Sequence, residues 1–455
     1  MATNAKEYFE INKENILKNY FTFLRFSSIA TDPSHRAATD ACADWLANYL
    51  EESGLAVERW SHKGGPDVLF AQRQISDQKE TLLLYCHYDV QPVDPLNKWT
   101  NPPFEPTLRD NYVYARGASD NKGQCFYTIT AIRAFLDRYK ELPINLKFVI
   151  EGEEESGSSS LLGLLASKAH ELEADHLLIV DSGIENIDTP MITLGARGIV
   201  TFSLTIAEAK TDLHSGATGG IAYNPNRALV EMLSRLHDHS GSVTIPGFYD
   251  EVMEITPQER AELDFDFDEV AFQHNFGFLP TGMEHNLSPL EANWLRPTLE
   301  INGINGGYSG PGFKTVIPSE ATAKISCRLV PRQNPERIAS LVVEYLKQNT
   351  PKGLKLEIEV LPGNGPGFRE SGKTRIAKLV SESYSDVFQR SCKKILIGGS
   401  IPITAELKKV AKSETVLIGT ALPDDHIHAP DERFSLVSFE KGFLTIYRLL
   451  ELFQH

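Results

Sequence analysis

The sequence predicts an α/β protein built on a mostly parallel sheet, with a smaller α+β domain inserted into it. The first observation is a series of apolar segments of strand length, TLLLYCH, NLKFVIE and HLLIV, which alternate with helical or loop segments. Apolar runs without strict alternation are typical of strands buried on both faces, as in a parallel sheet. The second observation is the strict alternation of TFSLTIA, AKISCRLV and LKLEIEV, which indicates a sheet with one covered face.

The order of these segments predicts where the inserted domain begins and ends. A chain of 455 residues exceeds one ordinary core, so two domains are expected. We assign 1–197 to the first part of the larger domain, 198–367 to the inserted domain and 368–455 to the second part. The glycine-rich LPGNGPGF marks the return from the insertion, and helix–strand alternation resumes after it.

Charge and composition disfavour several kinds of partner. The chain has 61 aspartate and glutamate residues against 45 lysine and arginine residues, for a formal net charge of −16. A surface of this sign disfavours nucleic acids and anionic membranes, and no apolar stretch approaches the roughly 18 residues of a membrane helix. The first twenty residues lack the pattern of an export signal. The five cysteines are odd in number and form no CxxC pair, which indicates reduced thiols in a cytoplasmic protein.

Polar side chains accumulate where the predicted strands end. In an open α/β sheet, ligands bind beyond the carboxyl ends of the strands. TLLLYCH runs into His87 and Asp89, which share one face of the strand, and NLKFVIE runs into the glutamates of EGEEESGS. The other candidates in loops and at strand ends are Asp120, Asp181, His426 and His428. Histidine and carboxylate groups are ligands of borderline divalent metals.

Taken in chain order, with one residue from each segment, the set is His, Asp, Glu, Asp and His. Two histidines and three carboxylates exceed the ligands of one tetrahedral zinc, so the simplest interpretation is a two-metal site with one shared carboxylate. Two such ions can polarise a carbonyl group and activate a shared water. A glutamate that is not itself a ligand would then act as the general base. Simpler alternatives exist for single residues, since His87 and Asp89 could form a structural pair and Asp120 could be an N-cap or turn residue.

Several polar residues near these motifs are expected to have no part in the chemistry. His426 is interpreted as a solvated loop residue, and Lys122 as the start of a helix. Glu153 is expected to face solvent, and Glu151 to accept hydrogen bonds from neighbouring backbone groups.

Short motifs along the chain make the functional assignment specific. They occur in the order HYDVQP (87–92), WTNPPFEP (99–106), YARGASDNKG (114–123), EGEEESGS (151–158), DLHSG (212–216), KTVIP (314–318), RLVP (328–331) and GGSIP (398–402). With them the chain resembles the cocatalytic-zinc exopeptidase family, which includes carnosinase-like dipeptidases, acetylornithine deacetylase, succinyl-diaminopimelate desuccinylase and aminoacylase. The motifs look most like those of the dipeptidase branch. The resemblance implies that the inserted domain is a ferredoxin-like lid and dimerisation domain.

The resemblance also implies the metal ligands. Each subunit would hold two Zn²⁺ ions, for which Mn²⁺ or Co²⁺ could substitute. His87 and Asp181 would bind one ion, and Glu155 and His428 the other. Asp120 would bridge the two ions.

Three further residues receive catalytic roles from the same resemblance. Glu154 would be the general base, which takes a proton from the bridging water and returns it to the leaving amine. Asp89 would orient His87. His214 would stabilise the tetrahedral oxyanion and contact the substrate, and in family members of this kind it reaches the site of the neighbouring subunit. A homodimer is therefore expected.

The substrate would be held at one end by Arg328, because a guanidinium binds a carboxylate bidentately. Alternation in AKISCRLV places Arg328 on the polar face of its strand, and Gly399 and Ser400 would contact the same end of the substrate. The implied activity is hydrolysis of the amide bond of dipeptides or similar small peptides.

Two departures from the family pattern leave alternatives open. VLPGNGPGFRESG lacks the further substrate-binding histidine that such dipeptidases can carry, so a deacylase of N-acyl amino acids is the alternative. In HAPDE, Asp431 stands where asparagine is frequent, and we expect this change to be tolerated because His428 is retained. A non-catalytic relative that binds ligands through the same fold is disfavoured, since all the implied ligands and the base are present.

Overall fold

The structure is a computed structural model that describes residues 2–284 and 286–454. Its strands are β1 (Ala56–Trp60), β2 (Val68–Arg73), β3 (Thr81–His87), β4 (Thr107–Arg109), β5 (Tyr112–Tyr114), β6 (Asn145–Glu151), β7 (His176–Val180), β8 (Met191–Ala196), β9 (Gly198–Ala207), β10 (Leu213–His214), β11 (Thr298–Gly306), β12 (Val316–Ile317), β13 (Glu320–Leu329), β14 (Lys355–Val360), β15 (Phe368–Arg369), β16 (Lys393–Ile397), β17 (Glu414–Ile418) and β18 (Arg433–Ser435). Its α-helices are α1 (Ala2–Leu24), α2 (Arg36–Glu52), α3 (Lys122–Tyr139), α4 (Ser159–Leu164), α5 (Ala169–Leu172), α6 (Ser215–Thr218), α7 (Pro225–Leu233), α8 (Pro257–Glu262), α9 (Glu269–Phe276), α10 (Pro289–Leu295), α11 (Pro335–Gln348), α12 (Arg375–Phe388), α13 (Pro402–Ala411) and α14 (Leu436–Leu452).

The larger sheet has the strand order β1-β2-β6-β3-β7-β17-β8-β15, with β16 paired to β8. Its centre is parallel, because β6, β3, β7 and β17 run in the same direction. Antiparallel pairs flank this centre at β1 with β2, β2 with β6, and β15 with β8. The mostly parallel α/β fold predicted from the apolar runs is therefore confirmed.

Helices cover both faces of this sheet. Leu82 and Leu84 of β3 pack into a core that includes side chains of α1, α2, α3, α12 and α14. Leu83 and Tyr85 of the same strand point to the other face and pack with side chains of α4, α5 and α13. Burial on two faces explains why β3 is apolar throughout rather than alternating.

A second sheet with the order β11-β13-β9-β14 is antiparallel throughout. Every second residue of β9 is buried, and the buried side chains form a separate core with those of α7 and α11. This is the one-sided sheet that the alternating segments predict. The domain boundaries at 197/198 and 367/368 stay predictions, although β9 begins at Gly198 and β15 begins at Phe368.

The segment between α7 and β11 was not foreseen in the sequence. It contains the short helices α8, α9 and α10, each capped at its N terminus by a serine, threonine or aspartate side chain. Across the described residues, the helices are too short or too polar to cross a membrane.

The carboxyl ends of the central strands meet at one edge of the larger sheet. His87 is the last residue of β3 and is in register with Glu151, the last residue of β6. Asp181 follows directly after Val180, the last residue of β7. Because parallel strands end at the same edge, residues distant in the chain come together there.

Candidate metal centre

Five of the predicted site residues meet at this edge, each from a different element. His87 ends β3 and Asp181 follows β7. Asp120 lies in the loop before α3, and Glu155 lies in the 3₁₀ turn Glu154–Ser156 after β6. His428 lies in the loop before β18 and has a positive φ of 62°. The structure therefore brings together all five residues that the family resemblance implies as ligands.

One group consists of His87, Asp120 and Asp181. His87 Nε2 lies 3.1 Å from Asp120 Oδ1 and 3.8 Å from Asp181 Oδ1. The side chain of His87 is fully buried, whereas both carboxylates are partly exposed. One ligand atom of each residue lies within 4.8 Å of the others, which suits a single ion.

The other group consists of Asp120, Glu155 and His428. His428 Nε2 lies 2.9 Å from Asp120 Oδ2 and 3.3 Å from Glu155 Oε1. These ligand atoms also lie within 4.8 Å of one another. Asp120 belongs to both groups and presents a different oxygen to each histidine.

The electrostatics of the two groups favour positive charge. Hydrogen bonds from His428 and His87 outweigh the effect of burial and lower the pKa of Asp120. The hydrogen bond to Asp120 and then the nearby carboxylate of Glu155 raise the pKa of His428 to about 10. The raised pKa of His428 reflects neighbouring carboxylates that favour a positive charge at its position.

The donor set fits divalent metal ions. Glu155 Oε1 is buried and has no hydrogen-bond partner among the described residues, although it faces the ring of His428. A buried carboxylate oxygen without a partner is costly unless a cation accompanies it. The donors are imidazole nitrogen and carboxylate oxygen, which suit zinc and related ions.

Asp89 contacts both His87 and the turn that carries Glu154 and Glu155. Its two carboxylate oxygens accept the backbone N–H groups of Glu154 and Glu155 at 3.2 and 3.1 Å. His87 Nδ1 lies 3.1 Å from the backbone oxygen of Asp89 and 3.3 Å from its carboxylate. His87 and Asp89 are therefore in contact, as predicted, and the shorter of the two contacts is to the backbone oxygen of Asp89. The carboxylate of Asp89 also holds the turn that carries Glu154 and Glu155.

Glu154 lies beside the two groups and belongs to neither of them. Its carboxylate makes no hydrogen bond to a described residue, which leaves it free for another partner. Burial raises the pKa of Glu154 well above its usual value. His87 opposes this shift, and the charges of Asp181 and Glu155 add to it. A carboxylate with a raised pKa accepts a proton more readily than an ordinary one.

Three residues around the centre were missed in the sequence. Gln91 donates to Glu155 Oε2 at 2.7 Å, and Asn121 donates to Asp181 Oδ1 at 3.0 Å. Glu432 accepts backbone N–H groups of the loop that carries Asp120. All three lie within or next to motifs already singled out, and polar residues there could have been predicted to orient the ligands.

The other polar residues of these motifs have structural partners. Lys122 begins α3, and its buried ammonium donates to backbone oxygens of Phe23 and Phe26. Glu153 is only half-buried and accepts the backbone N–H of Ser160. The expectation for Glu151 is wrong, because it is buried and accepts hydroxyl groups rather than backbone N–H groups, from Tyr85 and Ser158.

His426 is exposed, as predicted, and has a φ of 57°. Asp431, which replaces a frequent asparagine, has a φ of 58°, a left-handed conformation that both residue types tolerate. Its carboxylate accepts the backbone N–H and the hydroxyl of Thr100. Asp431 therefore has a local role in the loop.

The predicted substrate-binding residues form a separate group. Arg328 donates to Ser400 Oγ at 2.8 Å. Arg197 contacts the same loop. Its side-chain Nε donates to the backbone oxygen of Gly398 at 2.9 Å, and its backbone N–H donates to the backbone oxygen of Gly399. Arg197 had not been predicted, since a single arginine between two strands gives no signal of its own. Two arginines thus hold the Gly398–Ser400 loop.

His214 does not join the metal centre within the described chain. Its Nδ1 accepts the N–H of Gly216 at 3.0 Å, and its Nε2 lies 3.4 Å from Thr315 Oγ1. The side chain is exposed. The role predicted for His214 therefore stays a prediction.

Comparisons with known proteins give similarity along nearly the whole chain. The family model for peptidase family M20/M25/M40 matches residues 83–452. A Cys-Gly metallodipeptidase of Schizosaccharomyces pombe is 30% identical, covering 96% of this chain and 95% of that protein. The Beta-Ala-His dipeptidase of Homo sapiens is 32% identical, covering 83% of this chain and 75% of that protein.

Solved structures are similar as well. An M20 family metallo-carboxypeptidase from Sulfolobus solfataricus has a TM-score of 0.87 and 31% identity, covering 96% of this chain and 99% of that chain. Human carnosine dipeptidase 1 has a TM-score of 0.81 and 28% identity, covering 100% of this chain and 99% of that chain.

The histidine and carboxylate groups at the edge of a mostly parallel sheet suit a metal-dependent hydrolase. The family match and the metallodipeptidase relatives show that the bond hydrolysed is an amide. The similarities are in accord with this class. The chain belongs to peptidase family M20/M25/M40, which confirms the family predicted from the sequence motifs.

Proposed function

We propose that this protein is a metallodipeptidase that hydrolyses the amide bond of dipeptides or similar small peptides. The observation that carries the proposal is the position of Asp120, which presents one carboxylate oxygen to each of two histidines. The substrate class is supported by the relatives, whose names describe Cys-Gly and Beta-Ala-His dipeptidases.

We infer that the centre holds two Zn²⁺ ions, for which Mn²⁺ or Co²⁺ could substitute. His87, Asp181 and Asp120 would hold one ion, and Asp120, Glu155 and His428 the other. When bound, a pair of ions polarises the scissile carbonyl and lowers the pKa of a water molecule. Two observations support this assignment: Glu155 Oε1 is buried without a hydrogen bond to a described residue, and the donors are imidazole nitrogens and carboxylate oxygens.

Glu154 is proposed as the general base. It takes a proton from the attacking water and returns that proton to the leaving amine. Its raised pKa and its carboxylate without a hydrogen-bond partner support this role. Asp89 is proposed to position both the base and a ligand, because it holds the backbone N–H groups of Glu154 and Glu155 and lies beside His87.

The substrate carboxylate is proposed to bind Arg328, with Gly399 and Ser400 at the same end. The hydrogen bond between Arg328 and Ser400 supports a shared site. A Cβ atom built on Gly399 would meet no atom within 4 Å, so space for a ligand lies beside this residue.

His214 is proposed to act across a homodimer, stabilising the oxyanion in the site of the neighbouring subunit. The supporting observation is its exposed position away from the centre of its own chain. We propose that residues 198–367 form the lid and dimerisation domain. The edge strand β11 supports this, because it pairs with β13 alone among the described strands and exposes Ile301 and Ile304.

A cytoplasmic location is proposed. The described cysteines are free thiols, and Cys42, Cys86, Cys125 and Cys327 are buried. Free thiols are typical of reducing compartments.

A second candidate is removal of C-terminal residues from longer peptides. It is favoured by the similarity to the Sulfolobus solfataricus metallo-carboxypeptidase. Deacylation of N-acyl amino acids would use the same chemistry and remains the alternative predicted from the sequence.

The experiment that separates these activities measures free amino acids released from three sets of compounds: dipeptides, peptides of four to six residues, and N-acetyl amino acids. The Zn²⁺-loaded protein is expected to cleave the dipeptides with the highest kcat/KM. The Glu154→Gln variant serves as the control for contaminating peptidases. Preference for N-acetyl amino acids or for longer peptides would overturn the proposed substrate class.

A further inference from the structure

A cavity of about 660 Å³ is lined mainly by the segment between α7 and β11. This volume falls within the roughly 300–1,000 Å³ of small-molecule binding sites. None of the five described metal-centre residues lines the cavity, whereas Arg197 does. The cavity is therefore distinct from the metal centre, and it is connected to the substrate loop through Arg197.

One wall of the cavity is aromatic. Phe267, Phe272 and Phe278 line it, and the ring of Phe272 lies 5.4 Å from that of Phe267 and 5.3 Å from that of Phe278. Phe278 is 57% exposed. The rings of Phe267 and Phe272 are partly buried and that of Phe278 is exposed, so an apolar group placed against them is stabilised by removing this surface from solvent.

The cavity is also lined by a buried arginine, Arg197. Arg197 is 7% exposed, and its guanidinium donates to the backbone oxygens of Gly398 and Arg296 and to the Thr298 hydroxyl rather than to a carboxylate. Burial and then the charge of Arg328 lower the pKa of Arg197 to about 10, against the opposing charge of Glu300. Two neighbouring guanidinium groups that face one carboxylate, that of Glu300, keep an excess positive charge, which favours a further anionic group beside them.

Arg197 connects the cavity to the substrate loop. Arg197 donates a hydrogen bond to Gly398, and Arg328 donates one to Ser400 of the same Gly398–Ser400 loop. Asn293, which lines the cavity, packs so closely on Gly398 that a Cβ atom there would lie 2.2 Å from its oxygen. A carboxylate bound at the loop would therefore lie next to the cavity that the three phenylalanine rings line.

We propose that this cavity binds the side chain of the substrate's C-terminal residue and selects a large apolar or aromatic side chain, with the C-terminal carboxylate beside Arg197 and Arg328. The proposal rests on the proposed peptidase function and adds the substrate class to it. Among the other charged residues that line the cavity, Glu284 is paired with Arg296, and Glu300 offsets only one of the two charges of Arg197 and Arg328.

Binding of 3-phenylpropionate to the Zn²⁺-loaded protein, measured by titration calorimetry, tests the pocket without any cleavage. This compound combines a carboxylate with a phenyl ring, whereas propionate lacks the ring and phenethylamine lacks the carboxylate. We expect 3-phenylpropionate to bind at least about tenfold more tightly than either control. No detectable binding, or equal affinity for propionate, would overturn the proposal.

Two variants locate the binding. Phe278→Ala and Phe272→Ala are expected to weaken 3-phenylpropionate about tenfold while leaving propionate unchanged. Removal of the largely exposed ring of Phe278 is not expected to unfold the chain. Val270→Ala is the matched control, since Val270 lies on α9 with Phe272, is 79% exposed and does not line the cavity. Unchanged affinity in Phe278→Ala and Phe272→Ala, or an equal loss in Val270→Ala, would contradict the assignment.

Cleavage of Ala-Phe and Ala-Gly then connects the pocket to the reaction. We expect kcat/KM for Ala-Phe to exceed that for Ala-Gly by at least about tenfold, and Phe278→Ala to reduce this ratio. Equal cleavage of both peptides, or a preference for Ala-Lys, would overturn the selectivity. If no peptide were cleaved, the peptidase function would fail, whereas the binding of 3-phenylpropionate would still decide whether the pocket exists.

Discussion

The carboxylate of Glu432 accepts the backbone N–H group of Asp120 at 3.0 Å. It also accepts the N–H groups of Gly117 and Ser119 and pairs with the guanidinium of Arg116 at 2.8 Å. Both charged side chains are buried. Glu432 thereby fixes the loop from which Asp120 reaches His87 and His428.

Glu432→Gln is expected to weaken metal binding, because the amide replaces one acceptor oxygen with a donor and loosens the loop around Asp120. Residues that support ligands in this way typically contribute about 10–100-fold to metal affinity. Competition with a chelator of known affinity measures the change. Activity should return at high Zn²⁺ concentration. An unchanged metal affinity would show that Glu432 is not needed to position Asp120.

Arg116→Ala is expected to destabilise the protein by about 3–5 kcal/mol, because it leaves Glu432 buried and unpaired. Denaturant unfolding of the metal-loaded protein measures the free energy. The control is Glu406→Ala, which removes a largely exposed pair with Lys409 and should cost about 0–1 kcal/mol. A similar cost for both variants would contradict the importance of the buried pair.

Glu154→Gln should keep the metal ions and lose turnover. The variant preserves shape but cannot accept a proton, and general-base catalysis typically contributes about 10²–10⁴-fold to the rate. Metal content and kcat are measured on the same preparation, with Glu153→Gln as the neighbouring control. Full turnover in Glu154→Gln would reject Glu154 as the base.

His214→Ala is expected to lower kcat by about 10²–10³-fold, the usual effect of losing one oxyanion donor, without loss of metal. If His214 acts across the dimer, mixing this variant with Glu154→Gln should restore part of the activity, because hybrid dimers contain one intact site. Subunit exchange is verified with differently tagged chains. No recovery after exchange would place His214 in its own subunit or outside catalysis.

Much of the fold could be predicted because burial leaves a periodic signal. Continuous apolar runs marked β3, β6 and β7, and strict alternation marked β9 and β13. The segment between α7 and β11 has no such period, because its helices are short and largely exposed. Its shape depends on capping and on contacts with distant elements.

The candidate metal ligands were predictable for a different reason. Each stands at a strand end or in a motif, and together they make a metal donor set. The arrangement around them was less accessible from sequence. The spacing of residues does not determine the directions of their side chains. It therefore leaves open whether Asp89 contacts His87 through its carboxylate or its backbone, and it does not predict the hydrogen bond from Tyr85 to Glu151.

The central claim is that Asp120 joins two metal ions in one hydrolytic site. The most direct test is the number of Zn²⁺ ions bound per chain in metal-depleted protein that is titrated with Zn²⁺, with dipeptide cleavage followed on the same samples. Two ions should bind to the wild-type chain, activity should be absent from the metal-free protein, and Asp120→Ala should lose both tight sites. Cleavage by the metal-free wild-type protein, or two tightly bound ions in Asp120→Ala, would contradict the claim.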